Sequence, residues 1–242
     1  MGKTREGSGK AKESPHAGHR KRLRDKFIAS GLASLHDYEA VELLLTYALP
    51  RRDVKPLAKA LINRFKGLRG IFDAHPEELQ GVNGISEQTV ALIKLVKELN
   101  SAYLEEKIKG TDVVSKPEDV IDYLSHTLSG EKIEKFMALY LNSKNEVMGI
   151  ETLHEVTLNQ TAVYPRTVLE QAFKHNARSI IFVHNHPSGD ATPSKKDIKL
   201  TNDLEKAAKS VDILVHDHLI IGKNRHYSIR DGNWFEHKRA SQ

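Results

Sequence analysis

The spacing of apolar and polar residues divides the chain into a helical first part and a mixed second part. Residues 1–14 are rich in Gly, Ser and Lys and poor in apolar side chains, which predicts a disordered basic tail. From there to about residue 109 the apolar positions recur at helical spacing. His19 to Ser30 predicts a basic, weakly amphipathic helix. Ser34-Leu-His-Asp37 resembles a capping box ahead of a mostly buried helix, Tyr38 to Leu49, which Pro50 stops. Val54 to Phe65 predicts another helix, with Gly67 and Gly70 loosening the chain after it. Pro76-Glu-Glu-Leu79 suits a short helix with proline at its first position. A long helix is expected from about Glu87 to Ile108. Its apolar stripe is Leu92, Leu95, Val96, Leu99 and Tyr103, widened by Ile93.

Gly81 and Gly84 place a tight turn between those last two helices. The pattern looks like a helix–hairpin–helix, in which backbone N–H groups and a helix N-terminus approach a DNA phosphate. The usual turn reads Gly-hydrophobic-Gly, whereas this one reads Gly84-Ile85-Ser86. Ser86 is a good N-cap, so the helix start is preserved. Gly84 and Ser86 are therefore candidate nucleic-acid contacts. An ordinary helix pair with glycines at its bend accounts for the same pattern.

After a linker at Lys109-Gly110-Thr111 the periodicity changes. Ser115-Lys-Pro-Glu118 reads as a capping box leading a helix to about Leu128. Phe136 to Leu141 is a short apolar strand, Ser143 to Glu146 a turn, and Val147 to Val156 a hairpin partner. Pro165 opens a helix to about His175. Ser179 to Val183 is a buried strand with almost no polar interruption. A helix from Ser194 to about Lys209, a strand from Ile213 to Ile221 and a short strand at Tyr227 to Ile229 complete the series. Strands alternating with helices indicate a layered α/β domain. The expected domains are thus 15–109, all helical, and 112–235, α/β.

Composition narrows the chemistry. The chain has 242 residues, 39% hydrophobic and 29% charged, a balance suited to a folded globular protein. It has no cysteine, which excludes disulfides, Cys-ligated zinc fingers and iron–sulfur clusters. A metal here must be held by His, Asp, Glu or backbone oxygen. No apolar run approaches the roughly 18–20 residues that span a bilayer, and no apolar stretch follows the charged N-terminus as in a secretory signal. Gly2 lacks a Ser or Thr at position 6, against myristoylation. The expectation is a cytoplasmic protein with no membrane partner. Residues 1–26 carry nine Lys/Arg and three Asp/Glu, a net of +6, so the remaining 216 residues sum to −1 of the overall +5. Such an arm binds nucleic acid by displacing counterions, or is simply a solvated leader.

The segment most informative about chemistry begins with Ile181-Phe-Val-His184-Asn-His186 and runs through a Pro- and Gly-containing loop to Ser194-Lys-Lys-Asp197. Residues two apart on a strand point to one face, so His184 and His186 can converge on one ion. The loop can return Asp197, in the first turn of the next helix, beside them. Three protein ligands and an open position describe a catalytic zinc site, although iron, manganese and nickel accept the same ligand types. Ser194 and Asp197 also fit a simple helix cap. His216-Asp217-His218 repeats His-x-His without a following Ser-x-x-Asp. It is core or surface, or else Asp217 or His218 orients a ligand histidine.

His184-x-His186-x7-Ser194-x-x-Asp197 resembles the JAMM (MPN-plus) metalloprotease motif, and the surrounding residues resemble the bacterial RadC family. Leu158-Asn159, Tyr164-Pro165-Arg166 and Asp217-His218-Leu-Ile-Ile-Gly222 extend the likeness, which spans about residues 15 to 235. The resemblance implies a deaminase-like α/β/α sandwich behind a small all-α helix–hairpin–helix-like domain. It implies zinc (Zn2+) on His184, His186 and Asp197, with Ser194 supporting the water or the oxyanion. It also implies a general-base glutamate just before the first core strand. By position that is Glu134, with Glu131 the second candidate. The expected activity is a zinc metallopeptidase-type hydrolase cleaving an amide or isopeptide bond in a peptide or protein substrate. The alternative is a DNA-binding protein of repair or recombination, contacting DNA through its N-terminal region.

Overall fold

The computed structural model describes residues 15–128, 130–155 and 163–236. The expected tail at 1–14 and the Leu158-Asn159 signature lie outside the described residues. The described residues form two compact units, one up to Lys94 and one from Leu95 onward.

The first unit is helical: α1 (Pro15–Ser30), α2 (Asp37–Ala48), α3 (Lys55–Phe65), α4 (Leu68–Asp73), α5 (Pro76–Gln80) and the start of α6 (Glu87–Ile108). Its core joins Val41 and Leu45 of α2 to Leu57, Ala58 and Leu61 of α3, with Ile71, Leu79, Val90 and Ile93 from the later helices. The start of α2 differs from the Ser34 box. Leu32–Ser34 forms a 3-10 turn in which Ser34 Oγ donates to Gly31 O at 2.8 Å. The cap falls to His36, whose N–H donates to Glu39 Oε2 at 3.0 Å. The reason is local: a serine hydroxyl engaged with the preceding turn has its own helix start elsewhere.

The apolar stripe expected on α6 is not its core face. Leu95, Leu99 and Tyr103 are 55%, 60% and 66% exposed, while Ile93 is 0% and Lys97 6%. Along one helix, Val90 and Ile93 serve the first core and Leu104 and Ile108 the second. Lys97 is buried with Glu131, 3.8 Å from its Nζ. Apolar character alone does not say which face is covered.

The second unit is a six-stranded sheet between helices. Its elements are α7 (Pro117–Leu128), β1 (Lys135–Leu141), β2 (Val147–Glu155), α8 (Pro165–Lys174), β3 (Ser179–Asn185), α9 (Lys195–Lys209), β4 (Leu214–Ile221), β5 (Arg225–Ser228) and β6 (Asn233–Glu236). The strand order is β2-β1-β3-β4-β5-β6. Only β3 and β4 run parallel, joined by the α9 crossover; the other neighbours are antiparallel. Residues 109–112 are not a loose linker: Gly110 N–H donates to Val147 O at 2.9 Å, and Val147 N–H to Thr111 O at 3.2 Å.

The central strands are buried on both faces with a period of two, whereas the edge strand β6 is exposed. Met137, Leu139 and Leu141 of β1, Ile181 and Val183 of β3, and Leu219 and Ile221 of β4 meet α7 and the end of α6. Phe136, Ala138 and Tyr140 of β1 with Ile180 and Phe182 of β3 meet Val168 and Ala172 of α8 and Leu204 and Ala208 of α9. This is the α/β/α sandwich anticipated from the sequence. By that alternation His184 continues the row of Ile180 and Phe182, whereas Asn185 continues the row of Ile181 and Val183. Among the described residues, no helix is long and apolar enough to cross a membrane.

Candidate metal centre

The end of β3 carries the site. Its seven residues are all buried, and the backbone ladder continues one step past the strand, where His186 N–H donates to Ile221 O at 3.2 Å. The chain then turns through Gly189, at φ +82°. Gly189 N–H returns to His186 O at 2.8 Å, and Lys223 N–H reaches Gly189 O at 3.1 Å. A Cβ at Gly222 would stand 2.6 Å from Gly189 O, so glycine there lets the loop lie against the end of β4. Asp190 Oδ1 accepts from Thr192 N–H and Oγ1 at 3.1 and 2.8 Å and braces the rest of the loop.

The loop delivers the start of α9 to the two histidines. Ser194 caps this helix: its Oγ accepts from Asp197 N–H at 3.2 Å, and Asp197 Oδ2 accepts from Ser194 N–H at 2.6 Å. The cap and the candidate ligand are thus the same pair of residues. Because the Asp197 carboxylate is held back toward Ser194, it faces the imidazoles. His184 Nε2 and His186 Nε2 are 3.0 Å apart, His184 Nε2 is 3.7 Å from Asp197 Oδ1, and His186 Nε2 is 3.4 Å from Asp197 Oδ2. Donors 2.0–2.2 Å from a tetrahedral ion stand roughly 3.3–3.6 Å from one another. Among the described residues these three form the group of side chains suited to a metal ion.

Hydrogen bonds set both histidines for that role. His186 Nδ1 lies 2.7 Å from Asp190 O. A carbonyl can only accept, so the proton is on Nδ1 and the Nε2 lone pair faces the centre. His184 is set through two more residues, His218 and Thr201. Thr201 Oγ1 donates its one proton to Asp197 O at 2.7 Å and lies 2.6 Å from His218 Nδ1, which must therefore be the donor to it. His218 Nε2 is then an acceptor, 2.8 Å from His184 Nδ1. The proton of His184 sits on Nδ1, and its Nε2 is free for a metal.

Electrostatics agree. Burial holds the His184 imidazole down to about 4 and His218 well below its ordinary value, so both are neutral at pH 7. Phe136 supplies part of that apolar wall, its ring stacked 6.0 Å from that of His184. Hydrogen bonding to Asp197 raises His186. Burial pushes the Asp197 carboxyl up, but His186 and the Ser194 N–H outweigh it and hold the group well below the usual carboxylate range. The site thus holds an ionised carboxylate and a neutral His184, while the Asp197 contact favours a proton on His186 that a metal ion bound there would displace.

Glu134 is half-buried immediately before β1. Burial raises its carboxyl, His186 draws it back down, and the nearby Asp197 charge raises it again, which places it within the field of the centre. Glu131, the second candidate, turns elsewhere: its carboxylate lies 3.2 Å from Lys135 Nζ and 3.8 Å from Lys97 Nζ. Within the second His-x-His, only His218 belongs to the site. His216 Nε2 faces Asn145 Oδ1 at 2.8 Å. Asp217 accepts from Ser228 Oγ at 2.6 Å and from the backbone of His218 and Arg230. Thr201 escaped the sequence reading, although its position four residues after Asp197 puts it on the same helix face. The Asp190 carbonyl has no sequence signal at all, since every residue carries one.

Gly84 and Ser86 lie in the first unit, at the turn between α5 and α6. Gly84 has φ +98°, Ile85 N–H closes the turn on Val82 O at 3.0 Å, and Ser86 Oγ accepts from Thr89 N–H at 3.3 Å as an N-cap. Arg64 donates to Gly81 O at 2.9 Å and Arg52 to Gly84 O at 3.3 Å, so a guanidinium stands at each end of the turn.

Comparison with known proteins follows the same division. A family model described as RadC-like JAB domain matches residues 114–234, and one described as UPF0758 N-terminal matches residues 16–91. A UPF0758 protein of Fusobacterium nucleatum is 40% identical over 223 residues, covering 89% of this chain and 96% of the relative. A UPF0758 protein of Ruegeria pomeroyi is 38% identical over 212 residues, covering 88% and 95%. The chain belongs to the UPF0758 family, with a RadC-like JAB domain of JAMM-type fold as its second part.

Proposed function

We propose that the chain is a zinc-dependent hydrolase of the JAMM class that cleaves an amide or isopeptide bond in a peptide or protein. The observation that supports this most is the trio of His184 Nε2, His186 Nε2 and an Asp197 oxygen at ion-sized separations, with both Nδ1 protons already committed. His184, His186 and Asp197 would hold the zinc, which when bound supplies Lewis acidity, lowering the pKa of water from 15.7 to about 7 and polarising a carbonyl. Glu134, its proton affinity raised by burial, accepts the proton of the attacking water and passes it to the departing amine nitrogen. Ser194 spends an Oγ lone pair on the helix cap and keeps its O–H as a donor to the developing oxyanion. His218 and Thr201 keep His184 in the tautomer that binds.

The test is metal content by mass spectrometry after purification without added metal, for wild type and Asp197→Ala. About one zinc per wild-type chain, lost in the variant, is the expected result. Cleavage of a peptide or isopeptide library by wild type and not by Glu134→Gln completes it. Wild type that takes no metal even when zinc is offered overturns the hydrolase reading.

A second reading concerns the first unit: DNA binding at the α5–α6 turn. It is supported by the two arginines at the turn, Arg52 and Arg64, beside the Gly84 backbone and the Ser86-capped start of α6. Salt-dependent binding of duplex DNA, weakened in Arg52→Ala and on deleting residues 1–14, is expected. No binding even at low salt removes this reading.

A further inference from the structure

Asn185 stands between the two candidate ligand histidines but points away from them. It is 1% exposed and shares the sheet face of Ile181 and Val183, the side covered by α7 and by the chain that leaves α7 for β1. Its amide is spent entirely on that connection. Oδ1 accepts from Lys135 N–H at 2.9 Å, and Nδ2 donates to Ile133 O at 3.2 Å and to Glu131 O at 3.4 Å. The pattern admits only one amide orientation, because an N–H needs the oxygen and the carbonyls need the NH2.

The two closer bonds define a geometry. The Ile133 carbonyl belongs to the peptide group that precedes Glu134, and the Lys135 N–H to the one that follows it. One buried side chain therefore grips both peptide planes flanking Glu134 and leaves little freedom in its φ and ψ. The backbone ladder between β1 and β3 begins only at Phe136↔His184. Beyond that point Asn185 takes over, and residue 134 is held where a loop residue would otherwise be loose.

We infer that Asn185 is a positioning residue for Glu134: it registers the general-base carboxylate against the metal ligands on either side of itself. This rests on the hydrolase reading of Glu134 given above. Asparagine is the residue for the task because it offers an acceptor and two donors on a short stem. Aspartate is isosteric and keeps the acceptor for Lys135, but it turns its second oxygen against two carbonyls. Alanine offers nothing and leaves a buried N–H and carbonyls unpaired.

The test uses the full-length chain loaded with cobalt(II) as a spectroscopic substitute for zinc. The pH midpoint of its visible spectrum is measured in wild type, Glu134→Gln, Asn185→Asp and Asn185→Ala, with cobalt affinity alongside. Glu134→Gln is expected to move the midpoint by about one pH unit, since a carboxylate next to the ion is removed. Both Asn185 variants should move it in the same direction while cobalt affinity stays within about threefold of wild type. An unchanged midpoint in the Asn185 variants, with the Glu134→Gln shift intact, overturns the inference and leaves the role of Glu134 standing. An unchanged midpoint in Glu134→Gln overturns both. More than about tenfold loss of cobalt in the Asn185 variants shows that Asn185 acts on the ligands, and also overturns it. Should neither Asn185 variant fold, hydrogen exchange in wild type decides: a protected Lys135 amide supports the grip, and exchange at the rate of an exposed amide refutes it.

Discussion

His184 Nδ1 and His218 Nε2 lie 2.8 Å apart across the parallel β3–β4 pair, and the proton between them belongs to His184. That assignment follows from the single proton of Thr201, which is already given to the Asp197 carbonyl. The two elements carrying the ligands, β3 and α9, are thereby linked through side chains of α9 and β4. Replacing His218 by alanine should weaken zinc binding about 10–100-fold with the three ligands untouched. Thr201→Val should do the same in smaller measure. Competition against a chromophoric chelator reads both, and affinities within about threefold of wild type would remove the relay.

The metal-free protein should lose stability on acidification through a defined window. His184 titrates at about 4 in the folded chain and near 6.5 unfolded, and His218 is displaced in the same direction. As pH falls below 6.5 the unfolded chain takes up these protons and the folded chain does not, so stability declines; it levels off below about 4 for His184. His186 is shifted upward, so between 6.5 and 4 it is protonated in both states and adds no slope. His184 alone accounts for about 3 kcal/mol over the window. Urea denaturation at stepped pH after chelation checks this. A flat profile between pH 6.5 and 4.5 would contradict the buried neutral pair.

Ser194 has a structural duty separable from any catalytic one. Ser194→Ala removes the cap on α9, which costs about 1 kcal/mol and lowers the melting temperature by about 2–4 °C. Zinc stoichiometry should remain at wild type because Ser194 is not a ligand, while hydrolysis falls. Calorimetry, metal analysis and rate measurement on one sample separate the three effects. Full wild-type hydrolysis would leave Ser194 with the cap alone.

The two faces of α6 should respond in opposite ways. Ile93, fully buried, should cost about 2–5 kcal/mol when cut to alanine. Leu99, 60% exposed, should tolerate lysine within about 0.5 kcal/mol. Chemical denaturation of both variants is the check. A large loss for Leu99→Lys would mean that the exposed stripe is covered in the protein as it exists in solution.

Much of the second unit was legible in the sequence because its signals are local. The apolar runs around Leu139 and Phe182 alternate between two faces within a few residues, and the placement of Ser194 and Asp197 is a matter of one helical turn. The spacing of His184 and His186 is likewise set by the pleat of one strand. The helix face of α6 was not legible, since its apolar residues outnumber the positions two separate cores require.

What the sequence determined by itself is therefore most of the element order and the candidate ligand set, both governed by contacts within a turn or a strand; it did not show α4, where Gly67 and Gly70 read as loosening the chain, or β6. Only the tertiary structure decided which of His216 and His218 reaches the site, that Thr201 completes the relay, and that Glu131 is spent on lysines. It alone brought Asn185 to the segment around Glu134, some fifty residues earlier in the chain. The physical reason is that these contacts depend on the register of β1 and β4 against β3. Register is fixed by burying both faces of the central strands at once, and no short stretch of residues encodes that.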